Sequence, residues 1–134
     1  MLLCVPPHDL ARWWPSAGSA LLPAIDRTDG AQSLETVRES IQSGDAHLWV
    51  IASGWEAQAA LVTYVFRTPP GQRWLRSSLC GGSGLDRMAR ALPEIERWAA
   101  ENDCNRSEIV GRKGWGRALD GYREAARVFV KEIG

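Results

Sequence analysis

The stretch that most constrains this chain is a β-rich run at Gln72–Cys80, four small residues in a row (Gly81-Gly82-Ser83-Gly84), and a long amphipathic pattern behind them. Leu85, Met88, Leu92, Ile95 and Ala99 recur every three or four residues, which places them on one face of a helix. A strand-to-helix junction built of glycine lets a backbone approach its neighbour closely. It also leaves the first N–H groups of the helix open to an anion, for which a pyrophosphate is the natural guest. The spacing is not G-x-G-x-x-G and no Gly-Lys-Ser/Thr follows, so neither the dinucleotide fingerprint nor a Walker loop is present. A glycine turn of this kind also serves purely structural ends, and at this level both readings stand.

The rest of the chain divides around that junction. Met1–Val5 is a short apolar run closed by Pro6-Pro7 and reads as a strand. Asp9 offers a cap to a helix carrying Leu10, Trp13 and Trp14, which Pro15 is expected to end, with Ser16–Ile25 as a second short helical piece. Ser33 caps a further helix with Leu34, Val37 and Ile41 on one face and Gly44 as its stop. His47–Ala52 and Ala57–Arg67 are strands about the Ser53-Gly54 turn, and Pro69-Pro70-Gly71 turns the chain into Gln72–Cys80. Pro93 kinks the long helix or opens a second segment. Beyond an Asn102–Asn105 loop, a strand at Arg106–Val110, a short helix near Trp115–Leu119 and a final strand at Ala125–Ile133 are predicted. The order is β-αα-βββ-α-β-α-β.

Composition narrows the class. The 134 residues fit one domain, 1–134, able to bury a core without metal or disulfide staples. An apolar fraction of 45% with 24% charged residues excludes bulk disorder. The formal net charge of zero gives no global field toward nucleic acid or membrane, although positions 67–134 are modestly cationic. Cys4, Cys80 and Cys104 are scattered, with no CxxC and no Cys/His pairing, so neither a metal site nor a disulfide framework is expected, and a reduced, cytoplasmic compartment fits best. No signal peptide and no apolar run of about 18 residues is read in the chain.

Taken together, meander strands, glycine turn, long helix, strand, short helix and final strand resemble the GNAT N-acetyltransferase superfamily over nearly the whole chain. The resemblance implies an α/β (α+β) fold: a mixed, mostly antiparallel central sheet of about six strands with helices on both faces. The family's pyrophosphate loop reads Arg/Gln-x-x-Gly-x-Gly/Ala, and Gly82 and Gly84 match its two glycine positions. It implies that the backbone amides of Gly81, Gly82, Ser83 and Gly84 hold the pyrophosphate of acetyl-CoA, and that the activity is acyl-CoA-dependent N-acetyl transfer. A narrower likeness lies in Ile95-Glu96-Arg97-Trp98-Ala99, Cys104 and the run Glu108–Leu119, whose Gly-Arg-x-Gly-Trp-x-Arg-x-Leu pattern is similar to short GNAT-like proteins of tailed bacteriophages and prophages. That likeness implies a phage or prophage origin, with the protein in the bacterial host cytoplasm or in the phage particle.

The chain departs from the family's pattern in three places. Leu79 stands where the loop has Arg or Gln. Arg117 falls on the position of the family's general-acid tyrosine, and arginine stays protonated. No Asp or Glu lies between Glu56 and Asp86, where the family often keeps its base. Glu108 is the remaining candidate to take a proton from an amine, or else a strand residue paired with an Arg. Tyr122 is a core aromatic or a displaced acid. Two functions therefore stand side by side: an acyl-CoA N-acyltransferase, and a catalytically degenerate descendant acting as a structural or protein-binding part. For the second, an exposed member of Trp13-Trp14 or the Arg112-Lys113-Arg117 cluster would meet the partner.

Overall fold

The computed structural model describes residues 1–69, 71–111 and 119–134. Five strands form one sheet in the order β1-β2-β3-β4-β5: β1 is Leu2–Cys4, β2 Ala46–Ser53, β3 Glu56–Thr68, β4 Gln72–Gly82 and β5 Arg106–Ile109. The first three pairings are antiparallel and only β4–β5 is parallel. A parallel pair needs a crossover, and the helix α3, Leu85–Glu101, supplies it.

Side chains alternate across the sheet, so each face receives its own core. Leu48 and Val50 of β2, Ala60 and Val62 of β3 and Leu79 of β4 meet the helices α1 (Leu10–Asp26) and α2 (Leu34–Ser43) on one face. Trp49, Ile51, Ala59, Leu61 and Leu75 meet Met88, Leu92, Ile95 and Ala99 of α3 on the other. The expected stripe on α3 is therefore the buried one. A bulge in β4 at Ser78, opposite the Val62–Thr63 step, shifts the register by one residue, so that Leu79 faces α1 while Leu75 faces α3 alongside Thr63 and Val65. There the buried hydroxyl of Thr63 accepts the indole N–H of Trp49 at 3.0 Å.

Four expectations are corrected. Pro15 does not end a helix: α1 runs unbroken through Pro15 and Pro23. Leu10, Trp13, Ala17, Leu21 and Ala24 are buried along one stripe, and that burial outweighs the hydrogen bond each proline removes. Asp9 makes no side-chain cap. Pro93 opens no second segment and lies inside the one helix α3. Ala125–Ile133 is not a strand; it pairs with nothing described, and Val128, Phe129, Val130 and Ile133 stand exposed. The helix expected near Trp115–Leu119 falls mostly outside the described residues. No helix among the described residues is long and apolar enough to cross a membrane.

Candidate functional site

Gly81 and Gly82 are the last residues of β4, opposite Ala60 and Ala59 of β3, so the expected turn begins two residues later than the sequence suggests. A Cβ on Gly81 would overlap the Ala20 carbonyl oxygen of α1, and one on Gly82 the Gln58 carbonyl oxygen of β3. Gly82 also has φ of +110°, a backbone that disfavours any side chain. Both glycines are thus required by the close approach of the chain's own backbone. The amides of Ser83 and Gly84 donate to the Gln58 carbonyl at 2.7 and 3.3 Å, and the Ser83 hydroxyl reaches the same oxygen at 3.3 Å.

The unengaged donors lie one step further on. Gly84 is the N-cap of α3 and offers no side chain, and the first bond into the helix runs from Met88 N–H to the Gly84 carbonyl at 2.9 Å. The amides of Leu85, Asp86 and Arg87 consequently have no acceptor among the described residues, at the positive end of a 17-residue helix. The Arg87 guanidinium donates to the Gln58 side-chain oxygen beside Gly84. Arg87, Arg90 and Glu94 line a cleft of about 360 Å³ with Met1, Leu2 and Ile51. Sequence reasoning passed over Arg87 and Arg90; the available signal was two arginines three apart on the polar face of the helix that follows the glycines.

Beside this helix end the sheet opens. β4 and β5 pair from Trp74 opposite Arg106 to Ser77 opposite Ile109, and Val110 N–H closes the ladder on the Ser77 carbonyl at 2.9 Å. β4 continues to Gly82, and no described residue pairs with that edge of Ser78–Gly82. The strands part at Ser77, whose hydroxyl is buried and without a partner among the described residues. Cys80 lies along the open edge; burial pushes its thiol up to about 11, so it is a neutral side chain and no nucleophile at pH 7.

The two candidate acid–base residues are both engaged elsewhere. Glu108 accepts from Arg76 Nε at 2.7 Å, and the Arg76 guanidinium lies 4.4 Å from the Phe66 ring centre. The Tyr122 hydroxyl donates to Glu96 of α3 at 2.5 Å and bonds Ser107 at 2.6 Å. Burial first, then the Glu96 carboxylate, push its phenol up to about 12. Ser107 and Glu108 are consecutive in a strand and point to opposite faces. The sheet therefore separates Tyr122 from Glu108, and the two do not form one site.

No protein-family model and no curated protein matches the sequence. Solved structures do match it over its full length. An aminoglycoside acetyltransferase from an uncultured soil metagenomic sample superposes with a TM-score of 0.74 at 11% identity, covering 100% of this chain and 96% of that one. A probable acetyltransferase superposes at 0.69 with 10% identity, covering 100% and 98%. A ribosomal-protein-alanine N-acetyltransferase from Brucella melitensis biovar Abortus 2308 does so at 0.64 with 14% identity, covering 100% and 99%, and a GNAT family acetyltransferase from Staphylococcus aureus at 0.64 with 10% identity, covering 99% and 98%. The chain has the GNAT acetyltransferase fold.

The remaining residues singled out in the sequence take these places in the GNAT fold. Trp13 is 2% exposed and belongs to the core, so it is no surface anchor. Trp14 is half-buried against Gly18. Among the described residues the exposed tryptophan is Trp55, at 61%, in the β2–β3 turn; its ring lies 5.7 Å from Trp13 and beneath the Arg12 guanidinium at 3.8 Å. Arg112, Lys113 and Arg117 lie outside the described residues. Leu79 is buried in the core on the α1 face.

Proposed function

We propose that this chain binds an acyl-CoA and works as an acyl-CoA-dependent N-acyltransferase. The observation that carries the reading is the trio of unengaged amides at Leu85, Asp86 and Arg87, set at the mouth of the wedge where β4 leaves β5. The residues fit a pyrophosphate: three N–H donors on one helix turn, the helix dipole behind them, Arg87 held at Gln58 beside Gly84, and Arg90 paired with Asp86 in the next turn. Gly81 and Gly82 then shape the junction, while donation passes from Ser83 and Gly84 to the first turn of α3. When bound, the cofactor supplies an activated thioester. The open edge of Ser78–Gly82 orients its amide-bearing arm and offers a backbone N–H to the developing oxyanion. With Glu108 neutralised by Arg76, water takes the proton of the amine.

A second reading has its own support. Glu108 and Tyr122 are both tied to partners within the chain and face opposite sides of the sheet, which suits a descendant that keeps the fold and binds without turnover. The phage-like pattern at Gly111–Leu119 belongs with either reading and supports a phage or prophage origin, with the protein in the host cytoplasm or in the particle. Calorimetry with acetyl-CoA tests the common ground. Micromolar binding is expected, weakened at least tenfold in Leu85→Pro, which deletes one donor at a position where proline is tolerated, and in the double variant Arg87→Glu/Arg90→Glu. A folded protein that gives no heat overturns the proposal. Binding without release of free CoA thiol across a panel of small amines, peptides and aminoglycosides selects the second reading.

A further inference from the structure

A second feature lies at the opposite end of the sheet. Arg67 of β3 and Arg73 of β4 are direct partners in the antiparallel register. Both line a cleft of about 600 Å³ with His47, Trp98, Asn102 and Asp45, beneath the C-terminal end of α3. Like charges directly opposite one another across two strands destabilise the pair. Neither arginine makes an ion pair among the described residues. The Nε of Arg73 and the Nδ1 of His47 are both buried and without a hydrogen-bond partner among the described residues. The one carboxylate in the cleft wall, Asp45, already accepts from the Ser43 hydroxyl at 3.1 Å.

Two arginines directly opposite one another across the strands, two buried nitrogens without partners among the described residues and an aromatic wall are what an oxyanion would satisfy. Guanidinium forks match phosphate and carboxylate oxygens in geometry as well as charge, and a bound anion turns the repulsion between the arginines into a shared attraction. The wall is already rigid: the His47 ring meets Trp98 edge-on at 4.8 Å, and Trp98 meets Trp49 at 5.2 Å. Arg73 is further fixed by its backbone, which donates to the Asn105 side chain at 3.2 Å and accepts from the Asn105 N–H at 2.9 Å. We propose that the Arg67–Arg73 pair and the cleft around it bind a small oxyanion, a phosphate or a carboxylate, at a site separate from the α3 N-terminus. This inference does not depend on the acyl-CoA reading.

The test is an NMR titration of the ¹⁵N-labelled full chain with inorganic phosphate and, in a second arm, with acetate, each against sodium chloride at matched ionic strength. Saturable shifts of the His47, Arg67, Arg73 and Asn102 amides are expected with at least one of the two anions, and the tighter one identifies the ligand group. Arg73→Gln should weaken that binding at least tenfold. Arg67→Glu should abolish it while leaving a folded protein, because it places opposite charges across the two strands. Shifts confined to Gly82–Arg87, shifts matched by chloride, or binding unchanged in both variants would overturn the proposal.

Discussion

Gly81 and Tyr122 carry the most at the scale of single residues. A Cβ on Gly81 has nowhere to go except into the backbone of α1, so Gly81→Ala should destabilise the fold by about 1–3 kcal/mol, the usual cost of overpacking. Urea denaturation measures it, and a change within 0.5 kcal/mol would show that α1 yields freely. Tyr122 ties α3 and β5 to its own segment through one oxygen, and Tyr122→Phe should cost about 1–2 kcal/mol in the same assay. Its phenol is raised from 10.0 to about 12, so the folded state holds the proton more tightly than the unfolded chain. The stabilisation linked to that proton is present in full below pH 10 and disappears as pH climbs toward 12. A pH series of urea midpoints should show the alkaline loss in the wild type and a shallower one in Tyr122→Phe. These roles were only partly legible in the sequence. The run of small residues announced a close backbone approach, but the approaching backbone belongs to Ala20 and Gln58, far away in sequence, and the donors that remain open are those of Leu85–Arg87.

Elements were legible where their signals are local. α2 is set by a capping box, in which Ser33 and Thr36 exchange hydrogen bonds, and by Gly44 at φ of +86°; all three residues stand within the helix or at its ends. Ser33→Ala should therefore lower stability by about 1 kcal/mol, read as a fall in the thermal midpoint. α1 was misjudged because its strongest local signal, Pro15, opposes a tertiary one, the buried stripe from Leu10 to Ala24. The sheet completes that stripe, and the strands on which α1 packs, β3 and β4, are built from residues 56–82. The same reasoning sets a prediction: Pro15→Ala restores a helix hydrogen bond and should raise the urea midpoint, by up to about 3 kcal/mol in stability. A loss would mean that α1 needs the proline for its approach to Gly81. Ala125–Ile133 failed in the opposite sense, since its alternation describes a strand but supplies no neighbour to pair with.

At the scale of the whole molecule, two cores share one sheet, and the layers can separate only by stripping that sheet. His47 sits at the edge of the α3 layer, and burial lowers its pKa from 6.5. The unfolded chain therefore binds the proton more readily than the folded one. The linked stabilisation is whole above pH 6.5 and drains away as pH falls below it. Thermal midpoints should accordingly decline on the acid side of pH 6.5, and less so in His47→Gln. Residues 125–134 are exposed throughout, so a chain ending at Glu124 should melt within 0.5 kcal/mol of the full one.

The parting of β4 from β5 at Ser77 has a consequence for how the protein keeps in solution. An unpaired strand edge is a template on which any extended chain can add itself, and sheet proteins usually blunt such edges with charge or cover. Here the edge of Ser78–Gly82 carries no charged side chain, only Ser, Leu, Cys and two glycines. Under the acyl-CoA reading a ligand lies along this edge, and, with no described residue paired to it, the same edge is the natural point of adhesion between copies. A ligand that lies along it should then act as an anti-aggregant, suppressing turbidity on heating more than it raises the melting temperature.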